Sequence, residues 1–225
     1  SVPDFILKKV QQSIYVNILA YYPVSRFAYA YVYGASVLKN AAPHVGQKKI
    51  LKLDIDGFFD NISYSLVKEK VFYKEKFSEP IRILLTMLCY YRDALPQGAP
   101  SSPAITNIIM YDFDESVGAF CEEEGVVYTR YCDDMTFSGD FDENKIISFV
   151  KTELKKLGLF LKSRKTRTVT CSKRQTVTGV VVNEKINLAE EYKKKIRQEM
   201  YFIRKFGLDA HMKKVGVTDK QKYLA

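Results

Sequence analysis

Asp133 and Asp134 are the residues whose type and spacing most directly imply chemistry. They stand in Tyr131-Cys132-Asp133-Asp134, between two short β-prone runs, Val126-Val127-Tyr128-Thr129-Arg130 and Met135-Thr136-Phe137-Ser138-Gly139. Adjacent carboxylates at a hairpin tip repel and raise each other's pKa. A divalent cation removes that penalty, and hard cations such as Mg²⁺ prefer oxygen ligands. A second acidic stretch, Leu53-Asp54-Ile55-Asp56, closes another β-prone run. Three carboxylates on two cations make a phosphoryl-transfer site, with the ions roughly 3.5–4 Å apart. In this reading Asp54 faces Asp133 and the two bridge the metals, Asp134 supports one ion, and the main-chain carbonyl of Ile55 adds a ligand. Period-two alternation leaves the directions of Asp56 and Asp60 open. Each acid taken singly also fits a strand end or a turn, where Asp is common; the order of the surrounding elements favours the metal reading.

Those elements follow from periodicity and punctuation. Ile6, Val10, Ile14 and Ile18 recur every four residues, predicting an amphipathic helix that ends before Pro23. Lys49 to Asp54 alternates as a strand. Ser63 caps a helix to about Phe77, Pro80 starts another through Tyr91, and Arg92 to Ser102 is a Pro/Gly/Ser loop. Ser102-Pro103 opens a long helix closed by Gly125. After the acidic hairpin, Asp142 caps a helix closed by Gly158. Leu159 to Leu161, Arg167 to Thr170 and Val177 to Val182 read as strands, and Ala189 to Phe206 as a basic helix closed by Gly207. Strand, helix, hairpin, helix, strand is a split βαβ arrangement, an antiparallel sheet with helices on one face.

Composition sets the bounds. At 225 residues and 47% hydrophobic content the chain can bury a sizeable core. No apolar run is long enough to span a bilayer, and the four scattered cysteines form no CxxC pair, which suits a reduced cytoplasm. The net charge of +9 is unevenly spread: 14 Lys and Arg against 19 Asp and Glu up to residue 144, then 21 against 7. A basic last third behind an acidic front suits a polyanion partner, although a solvated lysine-rich helix face explains the charge equally well.

Four boxes in order resemble reverse transcriptases. Tyr131-Cys132-Asp133-Asp134 resembles their Y-x-D-D box, and Asp54-Ile55-Asp56-Gly57-Phe58-Phe59 their first catalytic motif. Leu95 to Pro103, with Gln97-Gly98, resembles the loop before the long palm helix, and Leu157-Gly158-Leu159 with Lys165-Thr166 the next motif. Asn40-Ala41-Ala42-Pro43-His44 and Val177-Thr178-Gly179 are similar to the NAxxH and VTG elements of bacterial retron-type enzymes.

The resemblance implies an α+β right-hand polymerase fold. Its palm is of the split βαβ, ferredoxin-like type, with helical fingers and a partial thumb. Residues 1–48 would be partial fingers, with 63–100 as a helical fingers/palm connection, 49–185 the palm with primer-grip strands, and 186–225 the start of a basic helical thumb. Asp54, Asp133 and Asp134 are the implied catalytic residues, holding two Mg²⁺, with Mn²⁺ as a substitute. Phe59 would be the steric gate against a 2′-hydroxyl, with Phe58 or Phe59 the alternative core residue. Gln97 and Gly98 would contact template and nucleotide, and Lys165 would protonate the leaving pyrophosphate. Asn40, His44, Lys162, Arg164, Arg167, Val177, Thr178, Gly179, Lys194 and Arg197 would meet nucleic acid. The family carries further fingers sequence with basic residues for the triphosphate, of which Lys8, Lys9 and Arg26 are nearby candidates, and the thumb would normally extend further.

The implied partners are deoxynucleoside triphosphates, template RNA and DNA product, a cognate structured noncoding RNA and an effector protein in phage defence, with no membrane. A group II intron or diversity-generating reverse transcriptase, an RNA-directed RNA polymerase and a non-catalytic RNA-binding module derived from a polymerase are the alternatives.

Overall fold

A computed structural model of the chain describes residues 3–188 and 190–217. In chain order its elements are α1 (Phe5–Asn17), α2 (Val37–Ala41), β1 (Lys49–Asp54), α3 (Phe58–Asn61), α4 (Tyr64–Lys70), α5 (Glu79–Cys89) and α6 (Ser102–Glu123). Then come β2 (Val127–Tyr131), β3 (Asp134–Gly139), α7 (Glu143–Lys156), β4 (Arg167–Thr170), β5 (Thr176–Val177), β6 (Val180–Val181), β7 (Asn187–Leu188), α8 (Glu190–Phe206) and α9 (Leu208–Lys214). Ala189, the expected first residue of the basic helix, and residues 218–225 of the expected thumb segment lie outside the described residues.

The main sheet has the strand order β2-β3-β1-β4, and its neighbours are all antiparallel. With α6 joining β1 to β2 and α7 joining β3 to β4, this is the expected split βαβ layout. Side chains alternate across a pleat, so the register sorts the two faces. Leu51 pairs with Phe137 and Leu53 with Met135, and all four are buried in the main core with Ile105, Ile109, Met110 and Phe113 of α6 and Val150 and Leu154 of α7. Each fully buried aliphatic or aromatic chain contributes about 1.5–3 kcal/mol. Phe120 and Phe149 stack at 4.0 Å between centroids, locking α6 to α7. Gly118 is required where Phe27 packs on α6, because a Cβ there would lie 2.0 Å from the Phe27 ring.

The opposite face carries Ile50, Lys52 and Asp54 of β1. At the Ile50 end it is covered by a second cluster of Ala41, Val177, Val180 and Val182, contributed by α2 and the small β5-β6-β7 sheet. The cover stops short of Asp54, so the sheet face is open at that end.

Several boundaries differ from expectation. Ser63 does cap α4, but the helix ends at Lys70. The N-cap of α6 is Ser101, and Ser102, expected as the cap, instead donates its hydroxyl to the Pro96 carbonyl at 2.7 Å. Leu159 to Leu161 forms a single bridge between Leu161 and Ile55, not a strand. Val177 to Val182 is broken into the β5–β6 hairpin, because Thr178 (φ 45°) and Gly179 (φ 82°) form its two-residue turn; two positive φ values are what a type I′ turn needs.

Candidate active site

The hairpin that joins β2 to β3 has Cys132 and Asp133 as its two loop residues, closed by the Tyr131–Asp134 pair. Cys132 has φ 61°, a conformation that costs a side-chain-bearing residue energy and that is concentrated at functional sites. In β1 the direct partner of Asp54 is Asp134, not Asp133. The main chain of Asp133 instead accepts from the Ile55 amide at 3.2 Å. Ile55 is itself buried.

Asp54 is 4% exposed, and its Oδ2 accepts from Lys165 Nζ at 2.5 Å. The Asp54 carbonyl accepts from the Lys162 amide at 2.8 Å, which brings the segment after α7 alongside the end of β1. Lys162 Nζ stands 3.6 Å from Asp56 Oδ1. The Asp134 carboxyl is pushed up to about 6, first by desolvation at the strand end, then by the charges of Asp133 and Asp54, with Lys165 acting the other way. Contact with Asp54 in turn raises the Lys165 ammonium above the ordinary lysine value.

Among the described residues no three His, Cys, Asp or Glu groups converge as a ready metal cage. The donor set nevertheless fits a hard divalent cation. It is all oxygen, its surplus negative charge is already expressed in the raised Asp134, and the ammonium of Lys165 stands where a cation is electrostatically wanted.

Two cavities flank the carboxylates. One, of about 340 Å³, is lined by Lys52, Asp54, Asp134, Arg164, Lys165 and Arg167. The other, of about 470 Å³, is lined by Tyr31, Phe59, Gln97, Gly98, Pro103 and Asp133. Phe58 is in the core and Phe59 is at the second cavity, with the rings edge to face at 5.6 Å. Gly98 has φ 86°, which glycine adopts at little cost. Arg164 and Arg167 are exposed, as are Lys194 and Arg197 on α8.

The two elements flanking the sheet behave differently from expectation. Asn40, His44 and Val177 are buried and so are not a nucleic-acid surface. His44 Nδ1 bonds to Ser138 Oγ at 2.6 Å and Nε2 to Thr129 Oγ1 at 2.8 Å, and burial lowers its pKa to about 4, so the ring is neutral near pH 7. Asn40 Nδ2 donates to Thr178 Oγ1 at 3.2 Å. These residues bind the 40–44 segment to the open face of the sheet and tie the β5–β6 turn to it. Gly179 is the exposed residue of that turn.

Three features escaped the sequence reading. Arg130 and Asp114, both fully buried, form a bidentate ion pair: Arg130 Nη2 lies 2.6 Å from Asp114 Oδ2 and Nε 2.8 Å from Oδ1. Arg130 Nη1 also donates to the Cys132 carbonyl at 2.9 Å, so α6 holds the hairpin tip through this one guanidinium. Tyr31 has φ 60°, and its hydroxyl meets Cys132 Sγ at 3.4 Å. Lys52 lies two residues before Asp54 on the same strand, a period-two signal for a shared face. Arg130 likewise precedes the box in a strand whose alternation turns it inward.

This sheet topology, with paired carboxylates on a hairpin and on the neighbouring strand, defines a polymerase palm. The reverse transcriptase (RNA-dependent DNA polymerase) family matches residues 1–225, and the chain belongs to that family. The curated relatives it resembles are retron reverse transcriptases. Retron Ec86 reverse transcriptase of Escherichia coli is 33% identical over 204 residues, covering 89% of this chain and 63% of the relative. Retron Ec83 reverse transcriptase of Escherichia coli is 34% identical (84% and 66% covered), and retron Mx65 reverse transcriptase of Myxococcus xanthus 29% identical (88% and 51% covered). The chain thus spans between half and two thirds of the length of these relatives. Among solved structures, apo telomerase from Candida tropicalis truncated from its C-terminal domain matches with a TM-score of 0.53 at 14% identity, over 82% of this chain and 44% of that one. At that identity the likeness is one of fold. Among the described residues no helix is long and apolar enough to cross a membrane.

Proposed function

We propose that this chain is the catalytic part of an RNA-directed DNA polymerase that extends a DNA strand on a structured noncoding RNA. The observation that carries this reading is the placement of Asp54 and Asp134 as strand partners, with Asp133 on the adjoining turn, between a basic cavity and one lined by Phe59, Gln97 and Gly98. Bound by these three aspartates and the Ile55 carbonyl, two Mg²⁺ ions, or Mn²⁺ in their place, would activate a primer hydroxyl and neutralise charge on the reacting phosphates. The remaining work falls to the chain's own residues. Gln97 and the close-approaching backbone at Gly98 seat a deoxynucleoside triphosphate and its template base. Phe59 closes the space a 2′-hydroxyl would occupy. Lys165, kept protonated beside Asp54, leaves that carboxylate and supplies a proton to the departing diphosphate. Lys162, Arg164 and Arg167, with Lys194 and Arg197 on α8, neutralise backbone phosphates.

The fingers, palm and thumb take the boundaries 1–48 with 63–100, 49–185 and 186–225. If the chain works as the retron-type enzymes it resembles, its template is a cognate noncoding RNA that also supplies a priming 2′-hydroxyl, and an effector protein and a role in phage defence belong to the same proposal. The four free cysteines accord with a cytoplasmic setting.

Two outcomes test this reading. Phe59→Ala is expected to admit ribonucleotides, raising their kcat/KM relative to deoxynucleotides by about 10-fold to 100-fold, as loss of a steric block of this size allows; an unchanged ratio removes Phe59 from sugar selection. Divalent cations must displace protons from Asp134, which titrates near pH 6. Their stabilisation of the chain, read as a shift in Tm, is therefore expected to be larger above pH 6 than below it. A shift independent of pH, or absent, contradicts cation binding at Asp134.

A further inference from the structure

The seam between α1 and α5 holds a cavity of about 300 Å³ that the reaction above does not use. Its walls are Leu7 and Gln11 of α1, Met87 of α5, Tyr90 and Tyr91 just past that helix, and Pro96. Leu7 and Gln11 stand one helical turn apart, and Asp4, the N-cap of α1, shares their face at the rim. Gln11 is 1% exposed; its Nε2 donates to the Leu88 carbonyl at 2.8 Å, and its Oε1 has no hydrogen-bond partner among the described residues. A buried acceptor left unpaired costs free energy that a ligand N–H would offset. The Tyr90 hydroxyl donates to the Ile62 carbonyl at 2.9 Å, and the lining residues Pro3 and Pro96 carry no N–H. Apart from the exposed Tyr91 hydroxyl, the cavity therefore offers a ligand acceptors, Gln11 Oε1 and the Asp4 carboxylate, among aromatic and thioether surfaces. A flat group edged with N–H donors fits that set, and a nucleobase with an exocyclic amine is such a group.

Shared walls connect this cavity to the reacting centre. Tyr91 and Pro96 also line a neighbouring cavity of about 290 Å³ with Arg92 and Gln97, and Gln97 in turn lines the nucleotide cavity. Arg92 is exposed and lies over the Tyr91 ring, 5.1 Å from its centroid, where it can meet a backbone phosphate along this track. We propose that the α1–α5 cavity holds an unpaired base of the template RNA ahead of the reacting pair, stacked on Tyr91 and donating its exocyclic amine to Gln11 Oε1. This rests on the polymerase reading. Only an unpaired base presents its pairing edge and a free face to a protein, and ahead of the reacting pair the template is the one unpaired strand. Stacking holds any base, whereas the acceptor selects among them. Cytosine offers an N4 amine, and uracil has a carbonyl oxygen at that position.

The test uses the whole chain, as wild type, Gln11→Leu and Met87→Glu. An RNA template is annealed to a DNA primer with a non-extendable end, and binding is measured without nucleotide. The template overhang stops at the templating base or continues as a run of cytidines or of uridines. The wild type is expected to bind the cytidine overhang about 3-fold to 10-fold more tightly than the uridine overhang, as one hydrogen bond to a buried acceptor allows. Gln11→Leu should abolish that preference and leave binding of the shortest overhang unchanged. Met87→Glu, at an exposed position, should weaken both longer overhangs without touching the shortest, and it repeats the test if Gln11→Leu melts early. Equal binding of all three templates by the wild type overturns the pocket. A cytidine preference that survives Gln11→Leu overturns the role of Gln11. A wild-type chain that binds these duplexes but extends no primer with a free end refutes the polymerase reading instead.

Discussion

Asp54→Asn is expected to lower RNA-templated primer extension by about a thousandfold or more. Metal-assisted charge stabilisation is worth several kcal/mol, and each ~1.4 kcal/mol is a factor of ten in rate. The substitution keeps the shape of a residue that is 4% exposed, so the loss should appear in kcat while the fold persists. Asp134→Asn supplies the contrasting result. The folded-state pKa of Asp134 lies at about 6, above its ordinary value of 3.8, so wild-type stability is lost as pH rises through that window and the carboxylate ionises beside Asp133 and Asp54. An asparagine does not ionise. Without divalent cations the variant should therefore match the wild type near pH 4 and exceed it above pH 6 by about 1 kcal/mol, a figure reduced for solvent screening at an exposed group. Thermal unfolding at the two pH values reads this directly. A variant that is less stable above pH 6 would show that the acidic cluster is not under electrostatic strain.

Asp114→Ala is expected to be the most damaging single change to the fold. It leaves the Arg130 guanidinium uncompensated at 0% side-chain exposure and takes the acceptor from the Tyr128 hydroxyl, which donates to Asp114 at 2.8 Å. Breaking one side of a buried ion pair costs about 3–5 kcal/mol, against a total stability of about 5–15 kcal/mol. Urea denaturation measures the loss. The double variant Arg130→Met with Asp114→Leu should recover much of that stability, because it buries no charge. It should not recover extension, because nothing then ties the Cys132 carbonyl to α6. Full activity in a stable double variant would show that the hairpin holds its position without Arg130.

The parts of the fold and site that could be read in advance are those where local chemistry and tertiary structure agree. β1, the acidic hairpin, α6 and α7 combine clear alternation or helical period with a Gly or Asp boundary, and they appear nearly where expected. The Val177 to Val182 strand was misread because a run of β-branched residues outweighed Thr178-Gly179, a turn pair. The pairing of Asp54 with Asp134 depends on a two-residue loop at Cys132-Asp133, and a one-residue shift in register changes which acid faces β1. Asn40 and His44 are polar types, normally found near the surface. Here Thr178 accepts from the Asn40 amide nitrogen, and Ser138 and Thr129 engage both ring nitrogens of His44 inside the protein; those partners lie far away in sequence. The same holds for Arg130 and Lys52: charged residues are rarely buried unless paired. Arg130 has its partner in Asp114, 16 positions away, and Lys52 has none of opposite charge within ion-pair distance among the described residues.

The most direct measurement is extension of a DNA primer on an RNA template with deoxynucleoside triphosphates and Mg²⁺, run side by side with wild-type chain and Asp133→Asn. The expected result is templated product from the wild type and almost none from the variant, with both proteins equally folded. Equal product from the two, or none from a wild type that binds the duplex, would contradict catalysis at Asp54, Asp133 and Asp134.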